Sequence, residues 1–260
     1  MFKKSILALS LVLVVAANTV VSVAAADGTN NYAGGDISQY VSLEEQRDDL
    51  LDNPNLTTAQ RAKIIDKYEK AVRSMNATTS VRALTRSANV TAKKLDVPFC
   101  EQINNYYCGP ATTQQTYYYL NNELNNTNYA PTQDQIATSV YTTSSSGTDL
   151  EYMKNYLNNA FTQDYFVQWW WGSASTMADS VYQAINDDNR PTILHIRVNS
   201  VGNSGWKFVT GGHFVSVVGY DSTCTTFDIV DPFKDGHGIS DGAYTVSDDD
   251  IFDYHVRMAY

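Results

Sequence analysis

The sequence predicts an α+β protein in which helices pack on a small antiparallel sheet, preceded by a helical N-terminal segment. Patterns typical of helices occupy residues 98–190, and patterns typical of strands follow from Thr192 onward. Helices followed by strands indicate helices packed against a sheet in one domain. The length of 260 residues and the 43% share of hydrophobic residues are sufficient for one domain with an appendage.

The first residues predict a secretory signal peptide. Lys3 and Lys4 form a short positive start, residues 6–15 are nearly all apolar, and the run of small residues ends at Ala26. This order is typical of a signal peptide that is cleaved after a small-residue site. The apolar run is short for a retained membrane anchor. We therefore expect cleavage after Ala26, a secreted product that is extracellular or associated with the cell wall, and no membrane contact after cleavage.

Residues 27–95 predict a helical pro-segment or spacer that ends in a polar linker. Residues 27–42 lack apolar periodicity, residues 43–51 predict one short helix, and Asn53-Pro54-Asn55 interrupts it. Thr57 or Thr58 then caps a second helix with one apolar face. Residues 76–91 are rich in Thr, Ser and Ala without a clear period, which indicates the linker.

The predicted domain, residues 96–260, contains several capped helices and then four strands. A helix begins near Pro110, two more have capping-box spacing at Thr132/Gln135 and Thr148/Glu151, and a fourth ends before Arg190-Pro191. The alternating or apolar runs that predict strands are residues 192–198, 214–220, 226–230 and 244–246.

The charge of the chain is divided unevenly. Residues 96–260 contain 19 acidic against 6 basic residues, a formal −13, and residues 61–94 contain nine basic residues against two acidic ones, a formal +7. An acidic main body excludes nucleic acid as the expected partner. The basic segment has three alternative roles: docking on the acidic domain as an inhibitory pro-segment, contact with an anionic cell wall, or a solvated helix face.

The cysteines exclude a disulfide scaffold. Only Cys100, Cys108 and Cys224 are present, so either all three are free or two of them, such as Cys100 and Cys224, form a disulfide and the third is a candidate reactive group. No spacing of Cys and His indicates zinc, and the acids at 248–250 follow a cap residue without the regular spacing of a calcium loop. We expect neither a metal nor another cofactor.

Cys108 is the candidate nucleophile. It precedes Gly109-Pro110, and proline is favoured at the first position of a helix. The free N–H groups and the positive end of the dipole at a helix start favour a thiolate. Gly109 allows a substrate to approach the backbone closely. The alternative is a buried structural cysteine.

His213 and Asp231 are the candidate partners of this cysteine. His213 follows Gly211-Gly212 at the mouth of a strand, whereas His195 lies inside an apolar strand, and His237 and His255 lie in a loop and near the end of the sequence. If residues 221–224 turn a hairpin, the position opposite His213 falls near 232, so Asp231 is a cross-strand neighbour. A carboxylate there fixes the imidazole tautomer and stabilises the imidazolium. Asp231-Pro232 alone indicates only a turn.

Gln102, six residues before Cys108, is the candidate oxyanion donor. A side-chain amide and the backbone N–H of the nucleophile supply the two donors that the tetrahedral intermediate of acyl transfer needs.

These four residues resemble the bacteriocin-leader-processing, or double-glycine, cysteine peptidases. The similarity lies in Gln102 and CGPA at 108–111, GHFV at 212–215 followed by GY at 219–220, and DP at 231–232, over about residues 96–260. More specifically, the motifs resemble the stand-alone secreted bacterial relatives of that family in the papain-like superfamily. The resemblance implies a papain-like fold, Cys108 as nucleophile, His213 as base, Asp231 as the orienting residue and Gln102 in the oxyanion hole. No transporter segment accompanies these motifs, so double-glycine leaders are not indicated as the substrate.

The predicted function is a secreted cysteine peptidase that hydrolyses peptide or protein substrates. Three alternatives stay open: a cell-wall amidase or endopeptidase that uses the same chemistry, a catalytically silent binding module on the same fold, and an acyltransferase in which an amine replaces water.

Overall fold

A computed structural model describes residues 41–76, 90–233 and 242–260 of the chain. The predicted signal peptide, residues 27–40, much of the predicted linker and His237 lie outside these ranges. The described residues form seven helices, which are α1 (Leu43–Leu51), α2 (Thr58–Asn76), α3 (Cys108–Asn125), α4 (Gln133–Ser139), α5 (Leu150–Phe161), α6 (Ala174–Asn186) and α7 (Asp248–Tyr254). None of these helices is long and apolar enough to span a bilayer.

Seven antiparallel strands within the described ranges form one sheet. They are β1 (Lys93–Lys94), β2 (Val167–Gln168), β3 (Thr192–Val198), β4 (Thr210–Tyr220), β5 (Thr226–Val230), β6 (Ala243–Ser247) and β7 (His255–Ala259). The strand order is β2-β7-β3-β4-β5-β6, and β1 pairs with the end of β4. The predicted α+β class, with helices packed on an antiparallel sheet, is confirmed.

Helix α3 packs directly against the central strand β4. Its inward side is buried from Gly109 through Thr116. Two side chains of α3 bind β4: Oγ1 of Thr112 donates to the backbone oxygen of Phe214 at 3.0 Å, and Nε2 of Gln115 donates to Oγ of Ser216 at 3.2 Å. Because these polar groups are buried and paired, they fix the helix at one position along the strand. The start of α3 therefore faces the early residues of β4.

Helices α1 and α2 contact the edge of the sheet at β2. The side chain of Gln46, 1% exposed, accepts a hydrogen bond from the backbone N–H of Val167 at 2.8 Å and donates to its carbonyl oxygen at 3.0 Å. Nζ of Lys67, also 1% exposed, donates to the backbone oxygens of Asp164, at 3.0 Å, and of Tyr260. The side chain of Gln46 thus pairs with the backbone N–H and carbonyl groups at the edge of β2, as a neighbouring strand would.

Three features differ from the sequence prediction. The cap of α5 is Asp149, which accepts from the N–H of Glu151 at 2.9 Å, so the predicted cap at Thr148 is wrong. Strand β4 begins at Thr210, four residues before the predicted start, so that His213 lies within the strand. Strands β1, β2 and β7 were not predicted, because their short runs lack the alternation that marks a strand.

Candidate active site

Cys108 is the first residue of α3. Tyr107 precedes it without a side-chain cap, and Pro110 occupies the first turn, where its missing N–H leaves no hydrogen bond unmade. The thiol is half-buried, and the adjacent Gly109 is fully covered. A Cβ at position 109 would lie 2.5 Å from Cβ of Thr148, so only glycine fits beneath this loop. Close packing on Gly109 therefore holds the helix start that carries Cys108.

His213 connects Cys108 with Asp231. Its Nε2 lies 2.7 Å from Oδ1 of Asp231, and both side chains are buried. The side chain of Cys108 lies close enough to the imidazole to raise its pKa. Since Nε2 is occupied by the carboxylate, Nδ1 is the nitrogen left for the thiol. The structure thus brings three of the four predicted site residues together around the imidazole of His213.

The surroundings of His213 favour its protonated form. Burial alone would lower the pKa of this imidazole, because it penalises the charged form. The negative charge and the hydrogen bond of Asp231 outweigh that effect, and the interaction with Cys108 adds to them, so the pKa of His213 rises to about 10. An imidazolium between two groups that carry or develop negative charge can hold a proton for later transfer.

Asp231 is held by groups that the sequence did not single out. Its Oδ1 accepts a second hydrogen bond from the backbone N–H of Phe233 at 2.8 Å, and its Oδ2 accepts from the hydroxyl of Tyr244 at 2.7 Å. The backbone N–H of Asp231 donates to the carbonyl oxygen of Gly242 at 2.9 Å. Tyr244 lies in β6, where it pairs with Ile229 of β5. Extending the predicted hairpin by one strand would have placed this tyrosine near Asp231.

Gln102 is tied to the same region through its backbone. Its N–H donates to the carbonyl oxygen of Pro232, the residue after Asp231, at 2.9 Å. Its side-chain Nε2 donates to the backbone oxygen of Asn104 at 2.7 Å, and its Oε1 is buried without a hydrogen-bond partner in the described part of the chain. An amide nitrogen has two hydrogens, so one remains for an oxyanion.

Aromatic rings surround the imidazole of His213. Its ring centroid lies 5.1 Å from that of Phe208 and 6.3 Å from that of Phe233, both in edge-on orientation. The rings of Phe208 and Phe233 are themselves 5.1 Å apart. These apolar contacts exclude water from the hydrogen bond to Asp231 and strengthen it. Sequence reasoning missed both phenylalanines, which belong to two loops with no shared motif.

The remaining histidines and cysteines are placed differently. His195 stacks on Phe214 at 4.5 Å, and burial, together with Arg257, Arg197 and His213, lowers its pKa to about 3, so this ring is neutral. The ring of His255 contacts the backbone oxygen of Phe252.

Among the described residues, the cysteines form no disulfide and no metal site. Burial raises the pKa of the free Cys100 thiol to about 11, and no disulfide joins the three cysteines, all of which are described. Within the described ranges no cluster of acidic, His and Cys residues is suited to a metal ion.

The model of the Peptidase_C39 like family matches residues 94–249, more than half of the chain. The matched region contains Gln102, Cys108, His213 and Asp231. A comparison with curated protein sequences finds no match.

Solved structures of cysteine proteases are similar to this chain at low sequence identity, among them the following three. Xylellain, a cysteine protease from Xylella fastidiosa, is 16% identical with a TM-score of 0.49, and the match covers 72% of this chain and 91% of xylellain. The Carica candamarcensis cysteine protease CMS1MS2, in complex with E-64, is 10% identical with a TM-score of 0.45, covering 65% and 96%. Digestive procathepsin L 3 of the Tenebrio molitor larval midgut is 11% identical with a TM-score of 0.39, covering 85% and 99%.

Proposed function

Because this chain belongs to the Peptidase_C39 like family and is a cysteine peptidase, we propose that Cys108, His213 and Asp231 form its catalytic triad. The predicted kinship with the leader-processing cysteine peptidases is thereby confirmed at the level of the family. The observation that carries the proposal is the position of His213, which is hydrogen-bonded to Asp231 at 2.7 Å and lies close enough to Cys108 for that side chain to raise its pKa. A nucleophile, a base and an orienting carboxylate in series are the requirement for covalent acyl transfer.

Acylation begins with the proton of Cys108 already on Nδ1 of His213, because the raised pKa of that imidazole, about 10, keeps it protonated at neutral pH. The sulfur attacks the carbonyl carbon of the scissile peptide, a C–S bond forms, and the carbonyl π electrons move to oxygen. When the tetrahedral intermediate collapses, the C–N bond breaks and the leaving amine takes the proton from His213. The products of this half-reaction are a free amine and a thioester on Cys108.

Deacylation uses the same groups in the reverse order. Neutral His213 removes a proton from water, and the resulting hydroxide attacks the thioester carbonyl. Collapse of the second intermediate breaks the C–S bond, and the substrate carboxylic acid leaves. Asp231 keeps Nε2 of the imidazole occupied throughout, so that Nδ1 is the nitrogen that exchanges protons.

The oxyanion of both intermediates is assigned to Gln102 and the backbone N–H of Cys108. First-turn N–H groups of a helix have no acceptor within the helix, so the N–H of Cys108 is available. The amide of Gln102 keeps one hydrogen after its bond to Asn104. By analogy with other acyl-transfer sites, removal of one such donor lowers kcat by a factor of about 10²–10³.

The proposed substrate is a peptide or protein outside the producing cell. The family supports peptide bonds as the target, and the charged, apolar and small-residue regions of residues 1–26 support secretion. A cell-wall peptide is the alternative substrate, because an amidase or endopeptidase of peptidoglycan uses the same chemistry.

The sequence predicts either a pro-segment or a spacer before the peptidase domain. We assign the spacer role to residues 41–76, which dock on that domain. The hydrogen bonds of Gln46 and Lys67 reach β2 and Tyr260. Two strands, β7 and β3, separate β2 from the strand that carries His213. A segment in this position supports the sheet edge without covering Cys108.

Covalent labelling tests the proposed function directly. The protein is treated with an epoxide or iodoacetamide, digested, and mapped by mass spectrometry, alongside turnover of an unstructured peptide library and of purified peptidoglycan. We expect the label on Cys108, none on Cys100 at neutral pH, and cleavage of the library. Turnover of peptidoglycan alone would favour the cell-wall alternative, and absence of both labelling and turnover would contradict the enzyme mechanism.

A further inference from the structure

A groove lined by tyrosine and asparagine lies on the outer face of α5. Its walls come from α3, the loop after α4, and α5, and its volume is about 460 Å³. That volume falls in the range of small-molecule binding sites. The lining includes four tyrosines and two asparagines, which are Tyr117, Tyr141, Tyr152, Tyr156, Asn155 and Asn159. We propose that this groove, called the tyrosine groove below, binds a neutral oligosaccharide.

The exposed face of α5 carries no charge, which is unusual for a surface helix. Asn155 and Tyr156 lie three and four residues after Tyr152, and Asn159 lies four and three residues after them, so the four residues share that face. The two charged residues of the helix, Glu151 and Lys154, are buried and form an ion pair at 2.7 Å. The groove therefore offers no counter-charge to an ionic ligand.

The aromatic rings are arranged as a platform. The ring centroids of Tyr141 and Tyr152 are 4.9 Å apart at a steep angle, and those of Tyr117 and Tyr156 are 6.1 Å apart. Tyr141 is 69% exposed. The C–H faces of a pyranose ring pack against such aromatic faces, while the tyrosine hydroxyls remain in contact with water or with the ligand.

The backbone presents Tyr141 at a conformational cost. Its φ angle is +54°, a left-handed conformation that bulky residues rarely adopt. The residue follows the end of α4 at the position where glycine is favoured, and the N–H of Thr142 closes the turn on the carbonyl of Ala137 at 2.9 Å. A tyrosine kept at a glycine position, with its ring exposed, indicates a role for the ring itself.

The polar groups of the groove are free to bind a ligand. Among the described residues, the hydroxyls of Tyr141, Tyr152 and Tyr156 and the side-chain amides of Asn155 and Asn159 have no hydrogen-bond partner. An apolar partner would bury these groups without compensation, which is unfavourable. A neutral oligosaccharide supplies hydroxyls for the amides and C–H faces for the rings, so it satisfies both parts of the lining.

The groove is connected with the active-site region through one loop. Thr142, next to Tyr141, shares a 2.7 Å hydrogen bond with Thr148, and Thr148 packs on Gly109. Along α3, Tyr117 lies nine residues, or about 14 Å, from Cys108. The loop that carries Tyr141 is therefore also the loop that packs on the start of α3. The proposal does not depend on the catalytic roles assigned above.

Calorimetry with defined oligosaccharides tests the proposal. Chitotetraose and cellotetraose are titrated separately into the protein, since one carries N-acetyl groups and the other only hydroxyls. We expect at least one to bind with a dissociation constant below about 10 mM. The variants Tyr152→Ala and Asn159→Ala should weaken binding at least about 5-fold, because each removes part of the lining.

Matched variants keep the result interpretable. Trp170→Ala removes an aromatic side chain that is 56% exposed outside the groove, and it should bind the sugar as the parent does. Cys108→Ala should also bind normally, which separates this site from catalysis. The exposed Asn159 gives a second variant if Tyr152→Ala fails to fold. Absence of binding by both sugars, binding unchanged in both groove variants, or self-association through this face would overturn the proposal.

Discussion

Tyr244 holds the carboxylate that faces His213. Its hydroxyl donates to Oδ2 of Asp231 at 2.7 Å, while Oδ1 of the same carboxylate lies 2.7 Å from Nε2 of His213. Tyr244 is half-buried and packs against Trp206, whose ring centroid is 6.3 Å away. Burial and the neighbouring carboxylate raise the pKa of the Tyr244 hydroxyl well above its usual value, so it stays a hydrogen-bond donor. We infer that Tyr244 is a positioning residue for Asp231.

The variant Tyr244→Phe removes this donor and keeps the ring. We expect kcat/KM for peptide hydrolysis to fall about 5- to 20-fold, in line with the loss of one hydrogen bond to a charged group. The freed carboxylate turns away from Nε2 of His213, so the alkaline limb of the pH profile should move to lower pH. A merely structural role would lower stability without moving that limb.

Tyr220→Phe is the matched control for this change. It removes a tyrosine hydroxyl that donates to Asn186 at 3.1 Å in another part of the sheet. Its pH profile should equal that of the parent protein. Equal profiles for Tyr244→Phe and the parent would contradict the positioning role.

The pH dependence of activity reports the charge of His213. Its raised pKa of about 10 means that the imidazolium is present at neutral pH and is lost as the pH rises through that value. We therefore expect kcat/KM to persist to about pH 9 and to fall above it, because the acid that protonates the leaving amine disappears. Asp231→Asn keeps a hydrogen-bond acceptor but removes the charge.

In Asp231→Asn the pKa of His213 should fall, and the alkaline limb should move down by at least about one pH unit. Nuclear magnetic resonance of the His213 ring nitrogens measures the same quantity without turnover. His195, whose pKa burial lowers to about 3, provides an internal reference that stays neutral above pH 5. A His213 titration near pH 6.5 in the parent protein would contradict the electrostatic account.

Glycine at 109 is required by its packing on Thr148. A Cβ added at Gly109 would lie 2.5 Å from Cβ of Thr148, so Gly109→Ala should shift the start of α3 and the thiol of Cys108. We expect a loss of about 1–3 kcal/mol of stability and a larger relative loss of kcat. The double variant Gly109→Ala/Thr148→Gly opens that space and should recover activity relative to Gly109→Ala. Failure of the double variant to recover any activity would contradict the steric explanation.

The docked N-terminal segment should stabilise the sheet edge. Gln46→Ala leaves the N–H and the carbonyl of Val167 buried without their partners, so unfolding free energy should fall by about 2–3 kcal/mol. Gln183→Ala, in α6, is the matched control, because its half-buried amide makes no hydrogen bond within the described residues. Chemical denaturation measures both. Equal stability of the two variants would contradict the edge role of Gln46.

Truncation separates the spacer from the inhibitory pro-segment. A chain that starts at Ala92 should be less stable than the full chain and no more active at low or high salt. If the truncated chain is more active than the full chain, and the difference between their activities decreases as salt rises, inhibition by the basic segment is supported instead.

The sequence allowed the positions of the candidate site residues to be predicted, but not the residues that pack around them. The hairpin between β4 and β5 has Ser216 opposite Val230, which places the chain after β5 beside His213 and brings Asp231 to it. That relation follows from strand periodicity, which is local information. Tyr244, Phe208 and Phe233 come from separate segments, and only tertiary packing brings them to the imidazole.

The fold shows the same division between local and distant signals. Long helices with caps and the apolar strands β3, β4 and β5 were predictable from their periodicity. Strand β7, with the sequence HVRMA, and β2, with two residues, become strands because β3 and Gln46 supply hydrogen-bond partners. The cap at Asp149 rather than Thr148 shows the usual uncertainty at helix ends, and Thr148 instead packs on Gly109.

The most direct measurement compares kcat/KM of Cys108→Ala with that of Cys100→Ala on one peptide substrate. The two cysteines lie eight residues apart, and burial raises the pKa of the Cys100 thiol to about 11, which leaves it unreactive at neutral pH. We expect Cys100→Ala to keep the kcat/KM of the parent protein and Cys108→Ala to lose at least about 10³-fold in kcat/KM. Retention of activity in a folded Cys108→Ala variant, or its loss in a folded Cys100→Ala variant, would contradict the assignment of Cys108 as the nucleophile.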